Sequence, residues 1–198
     1  MNWISRPVIL ESKRVRLEPL AEKHFDELIA VSTASEIWTH LSIEGYKAGE
    51  LRTGLKSALL KKISGEEYPF IIIDKMNNAV IGCTRYMDMM PEHRKLEIGW
   101  TWYAPSYWGT GYNTECKLLL LTYAFEELNT VRVQLKTSGK NLRSQVAIQK
   151  VGAKYEGTLR NARISANGEI RNTAMFSIIE TEWPEVKQML QKMTGIIQ

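Results

Sequence analysis

Two short stretches of this 198-residue chain hold residue types whose spacing could do chemistry. The first is PSYWGTGYNTE at 105–115, where Gly109 and Gly111 stand just ahead of the apolar run CKLLLLTYAF. A helix that begins there exposes unpaired N–H groups in its first turn. The positive end of its dipole favours an anion, typically a phosphate. Glycine lets the backbone approach that anion and take φ > 0 without a Cβ penalty. The pattern is not a GxGxxG fingerprint, since no third glycine follows, nor a P-loop, since no Gly-Lys-Ser/Thr follows. The second stretch is Asn141-Leu-Arg-Ser144, where Asn141 (or Ser138) can cap a helix over 142–151 and Ser144 falls in its first turn.

Two further groups could be reactive. Glu97 lies within KLEIGWTWY at 95–103, and strict alternation groups it with Gly99, Thr101 and Tyr103 against Leu96, Ile98, Trp100 and Trp102. A carboxylate there could bind an amine or accept its proton through water; the alternative is a solvated or salt-bridged strand residue, with Arg85 as a partner. Cys116 in the first helical turn is either a thiol of lowered pKa or a packed one, and Cys83 is expected to be buried and inert. The three histidines show no ligand spacing, and two cysteines support neither a disulfide framework nor a four-ligand zinc site, so no metal is expected.

The elements that must position these residues follow from periodicity. RVRLEPL (14–20), YPFIIID (68–74), AVIGCTRYMDM (79–89), KLEIGWTWY (95–103) and VRVQLKT (131–137) read as strands. Helical spacing runs through 21–31, 48–63, 112–128 and 142–151, with Asn129 and Gly152 as stops. Asn167-Gly168 is a hairpin signal between two final strands, and Trp183-Pro184 opens a last helix. The order β-α-α-β-β-β-α-β-α-β-β-α, with three strands in a row, argues against a doubly wound fold. A net charge of +4 helps attract a polyanionic ligand but is too small to imply nucleic acid. No apolar run approaches the ~18 residues needed to cross a bilayer, and no signal-peptide core is seen, so a single cytoplasmic domain over 1–198 is expected.

Taken in order, the strand 95–103, the SYWGTGYNTE turn, the strand VRVQLKT, Asn141-Leu-Arg-Ser144 and K150-V-G followed by Y155-E-G-T-L-R160 resemble the GNAT superfamily of N-acetyltransferases. Within it, the likeness is to the ribosomal-protein N-terminal acetyltransferase branch, the RimJ/RimL type. The resemblance implies an α+β fold: a mixed, mostly antiparallel sheet flanked by helices, its central strands splayed between 95–103 and 131–137. Acetyl-CoA would lie in the splay. Trp108, Gly109, Thr110, Gly111, Tyr112 and Asn113 match the pyrophosphate turn, Trp102 and Tyr103 the strand that pairs with the pantetheine arm, and Asn141 a pantetheine contact. Ser106 stands where the family more often has Arg or Gln, and Trp108 where it has Arg. Ser144 matches the serine that hydrogen-bonds the departing thiolate. A tyrosine used by many members corresponds to Gln149, and a glutamate of the ribosomal-protein enzymes corresponds to Arg163.

The implied reaction is direct attack of a primary amine, from a protein N-terminus or a small molecule, on acetyl-CoA, with Ser144 and Glu97 as catalytic candidates. A non-catalytic acyl-CoA-binding regulatory protein and a Cys116-dependent acyltransferase are the alternatives. Neither nucleic acid nor membrane is expected as a partner; a homodimer is one compatible assembly.

Overall fold

Thirteen elements run in the order β1 (Leu10–Glu11), β2 (Val15–Pro19), α1 (Phe25–Val31), α2 (Ala48–Ser64), β3 (Tyr68–Asp74), β4 (Ala79–Met90), β5 (Lys95–Tyr103), α3 (Tyr112–Thr122), β6 (Arg132–Ser138), α4 (Leu142–Lys150), β7 (Lys154–Ile164), β8 (Ile170–Ile179) and α5 (Trp183–Thr194). This is the computed structural model of the chain, which describes residues 3–5, 7–165 and 168–196. The strands form one sheet in the order β1-β2-β3-β4-β5-β6-β8-β7. Every neighbouring pair is antiparallel except β5–β6. The expected mixed, mostly antiparallel α+β architecture is what the chain adopts.

The sheet is covered on both faces. On one face α3, α5 and Ile148 of α4 pack against Leu17, Phe70, Ile98, Val133 and Phe176. On the other, Leu28 of α1 and Leu51 and Leu55 of α2 cover Ile71, Ile73 and Trp102. This explains why YPFIIID shows no polar alternation: a strand covered on both faces is apolar at every position, and all seven residues of β3 are buried.

Some details depart from the sequence reading. The two residues of β1 are too few to show a period. The helix expected over 112–128 is α-helical only to Thr122 and then widens into a π turn, Tyr123–Glu127. Asn129, at φ 52°, does end it. The Asn167-Gly168 turn lies partly outside the described residues, although β7 and β8 pair as a hairpin.

The consequential departure is in β5. Cys83 pairs with Trp102 and Arg85 with Gly99, so Trp100 and Thr101 together oppose Thr84 alone. Trp100 takes φ 51°. Such a bulge reverses which face the following side chains occupy. Leu96, Ile98 and Tyr103 therefore share one core, while Trp102 joins the opposite one. The expectation that Glu97 faces the same way as Thr101 and Tyr103 is incorrect, because strict alternation assumes an unbroken ladder.

Candidate active site

β5 and β6 pair at only three positions, Lys95↔Arg132, Leu96↔Val133 and Glu97↔Gln134. Beyond Glu97 the bulge carries β5 away, and the strands part around a cleft of about 380 Å³. The edge of residues 98–103 that faces β6 is thus left without a strand partner, a template for an added extended chain. Trp102 and Tyr103 line the cleft, and the Trp108 indole N–H donates to the Tyr103 carbonyl at 3.0 Å.

The glycine turn sits at the open end. Gly109 has φ 75° and Gly111, the N-cap of α3, has φ 91°. A Cβ on Gly109 would meet nothing within 4 Å, so the turn presents open ground where a ligand can come close. Among the described residues, the amides of Gly109, Thr110 and Gly111 donate to no backbone acceptor. Trp108, Gly109, Gly111 and Asn113 line the cleft. The side chains of Thr110 and Tyr112 do not. The Thr110 hydroxyl donates to the Tyr107 carbonyl at 2.7 Å, and Tyr112 turns inward under Arg14, where burial and a hydrogen bond to Asp74 push its phenol up to about 12. Only the backbone N–H groups of these two residues remain for an anion. Trp108 stands where a family arginine is expected, yet a guanidinium is present: that of Arg143, from α4, lies 3.8 Å from the Trp108 ring centroid. Sequence reading missed this guanidinium because the two residues meet only across the splay.

α4 forms the cleft wall on the same side. Asn141 caps it, its side-chain oxygen accepting from the Ser144 amide at 3.1 Å, and both side chains also line the cleft. Gln149 is exposed and lies outside the lining; Ile148 occupies that level of the wall, so no hydroxyl is present there.

Glu97 enters beside the apex of the splay. Its carboxylate is buried, with Oε2 accepting from Gln134 at 3.0 Å and paired with Lys136 at 2.6 Å. Oε1 lies over Gly99, where an added Cβ would come within 2.8 Å of it. The pairing with Arg85 does not form: Arg85 bonds Glu67 at 2.7 Å and packs on the Trp100 ring at 4.5 Å, bracing the bulge. Burial pushes the Glu97 carboxyl above its ordinary value, against the pull of Lys136 and Gln134. At Asp88, burial also acts upward, but Lys136, with Glu97 and the charge of Arg163, outweighs it and holds that carboxyl below its ordinary value. Two carboxyl groups around one ammonium are driven apart in this way, and a raised carboxyl is suited to proton acceptance near neutrality.

A buried lysine completes the cleft. Lys117 of α3 is 5% exposed, lines the cleft and donates to Thr101 Oγ1 at 2.9 Å. Burial lowers its pKa from 10.5 to about 8. Its one sequence signal is a charge inside the apolar run CKLLLLTYAF. Cys116 beside it is buried, and burial pushes its thiol up to about 12, so of the two readings it is the packed thiol. Cys83 is likewise buried, with a thiol near 11. Among the described residues no three His, Cys, Asp or Glu side chains could hold a metal ion, and no helix is long and apolar enough to cross a membrane.

A splayed mixed sheet, a turn with unpaired amides, a free strand edge and a buried carboxylate thus meet around one cleft. Comparison with known proteins agrees: the chain belongs to the GNAT acetyltransferase family, whose domain model matches residues 14–154. It is similar to an uncharacterised N-acetyltransferase, p20, of Bacillus licheniformis, at 25% identity over 88% of this chain and 97% of that one. A GCN5-related N-acetyltransferase from Brucella melitensis superposes with a TM-score of 0.87 at 31% identity, covering 94% of this chain and 85% of the other. RimL, the ribosomal L7/L12 α-N-protein acetyltransferase solved with coenzyme A, shares the fold at 20% identity and a TM-score of 0.76, over 87% of this chain and 98% of its own. The enzyme is an acetyl-CoA-dependent N-acetyltransferase.

Proposed function

We propose that the two sides of the cleft divide the transfer of acetyl from acetyl-CoA to a primary amine. The amides of Gly109 to Asn113, with the Arg143 guanidinium, hold the pyrophosphate. The free edge of β5 around Trp102 and Tyr103 pairs with the pantetheine arm, and Asn141 flanks it. The amine enters on the Glu97 side. Its nitrogen bonds to the acetyl carbon as the carbon–sulfur bond breaks; Glu97 takes up the ammonium proton, directly or through water. The Ser144 hydroxyl donates to the departing thiolate. No protein nucleophile is required, because holding the two reactants together supplies much of the rate.

The observation that carries this reading is the parting of β5 and β6 just beyond the Glu97–Gln134 pair, with the glycine turn at one end of the opening and a buried carboxylate at the other. The raised carboxyl of Glu97 favours turnover over passive ligand binding. Coenzyme A at one hundred times its Kd should stabilise the fold by about 2.7 kcal/mol. Gly111→Val should abolish that stabilisation, since φ 91° excludes a β-branched residue and the new Cβ would press on Arg14 at 3.1 Å. A folded Gly111→Val protein with an unchanged thermal shift would overturn the assignment of the turn.

A further inference from the structure

The β7–β8 hairpin carries an arrangement that acetyl transfer alone does not require. Arg163 and Arg171 are directly paired positions of the ladder, and both line the cleft. Like charges placed opposite each other on adjacent strands destabilise a sheet. The pairing is also built rather than incidental. Between Leu159↔Thr173 and Arg163↔Arg171, β7 fits three residues against the single Asn172 of β8. Asn161 within that bulge takes φ 51°, and its amide is held by the Asn172 side chain at 2.9 Å. Bulges of this kind re-aim side chains, and here the residue that follows is Arg163.

Both guanidinium groups retain donor capacity. Arg163 takes part in no ion pair among the described residues. Arg171 is largely buried, donates to the Thr39 carbonyl at 3.3 Å, and has a buried Nε without a hydrogen-bond partner. Its ion pair is with Glu169, whose Oε2 lies 3.5 Å from that Nε and whose Oε1 is bonded by Lys140 at 2.5 Å, so Glu169 is shared between two cations. By contrast, Lys136 is committed to Asp88 and Glu97, and Arg143 lies over Trp108 beside the glycine turn, where the pyrophosphate is proposed to sit.

Position decides which substrate these arginines meet. The bond from Arg171 to Thr39 ties the hairpin to the segment between α1 and α2, whose Glu36, His40 and Ser42 line the cleft. That segment belongs to the face covered by α1 and α2, whereas α3 and α4, which carry the glycine-turn and Asn141 contacts, cover the other. Resting on the proposed division of the cleft, we propose that the acceptor is a primary amine carrying a carboxylate on the same molecule, bound by Arg163 and Arg171. The planar fork of a guanidinium matches a carboxylate with two parallel hydrogen bonds, and an anion between the two arginines replaces their repulsion with attraction to both.

The test uses pairs of primary amines that differ only by the carboxylate: amino acids against their decarboxylated counterparts, and short peptides with Glu against Gln at the second position. The wild-type protein should favour the carboxylated member by about tenfold or more in kcat/KM. A preference confined to the first arm identifies free amino acids, and one confined to the second identifies acidic peptide N-termini. Arg163→Gln, at an exposed position, and Arg171→Gln should each remove most of the preference while leaving the carboxylate-free partners within about twofold. Equal rates for both members in wild type, or equal losses for both in the variants, overturn the proposal. Coenzyme A binding is measured separately by thermal shift. A protein that binds it but prefers carboxylate-free amines overturns the carboxylate assignment alone, whereas failure to bind it overturns the cleft assignment beneath.

Discussion

Lys117→Met measures what the buried ammonium does to the fold. Lys117 is 5% exposed, and Thr101 Oγ1 is its one hydrogen-bond partner among the described residues. Burial lowers its pKa from 10.5 to about 8. At ~1.36 kcal/mol per pH unit, that interval corresponds to about 3 kcal/mol of destabilisation carried by the charged form. Methionine has similar length and no charge to bury. It forfeits the hydrogen bond to Thr101, worth about 1 kcal/mol, although Thr101 keeps the Thr84 hydroxyl at 2.8 Å. The variant should therefore be more stable than wild type by about 2 kcal/mol at pH 7, the usual outcome when an isolated buried charge is replaced by an apolar group.

The pH dependence gives the sign. Because the folded pKa lies below the unfolded one, the unfolded chain binds more protons between pH 8 and 10.5, and wild-type stability gains with rising pH across that window. The advantage of Lys117→Met should be full below pH 8, shrink steadily above it, and become a small deficit near pH 10.5. Urea unfolding at pH 7 and pH 10 with unchanged m-values would show this. A variant less stable than wild type at pH 7, or an advantage equal at both pH values, refutes the reasoning.

Glu97→Gln should reduce kcat by about a hundredfold or more, with coenzyme A affinity nearly intact. Wild-type turnover should also rise with pH through a carboxyl pKa above 4.5, a limb that the variant lacks; an identical acid limb in both proteins would remove Glu97 as the base. Ser144→Ala should lower kcat about ten- to hundredfold where chemistry limits turnover, the worth of one charge-assisted hydrogen bond of roughly 1.5–3 kcal/mol. Rates within about twofold would leave Ser144 as a residue of the capped first turn. Cys116→Ala should retain turnover within about twofold, because a thiol near 12 supplies almost no thiolate at neutral pH; loss of transfer in a folded variant would restore a thiol relay.

The features legible in the sequence are those that one segment determines by itself. The boundaries of β3 and β5 follow from their flanking turns, and Asn141 caps α4 because a short polar side chain can bond an amide three residues on. Gly109 and Gly111 announce positive φ wherever the rest of the chain lies. The bulge at Trp100 leaves no such mark. Trp100 and Trp102 are apolar in either register, so the hydrophobic pattern cannot reveal that one residue was inserted and the faces exchanged.

The same limit separates the visible from the hidden parts of the cleft. A lysine in a helix ordinarily lets its ammonium snorkel to water; Lys117 cannot, because α3 lays that position against Thr101 on β5. The Arg143 guanidinium reaches the turn only because α4 closes over Trp108. Arg163 and Arg171 oppose each other only because a bulge resets their register. In each case the residue is ordinary in its own segment, and a strand pairing or helix packing gives it a charged role. The glycine turn is therefore local and readable, whereas the placement of Lys117, Arg143, Arg163 and Arg171 around the cleft is set by tertiary packing and register.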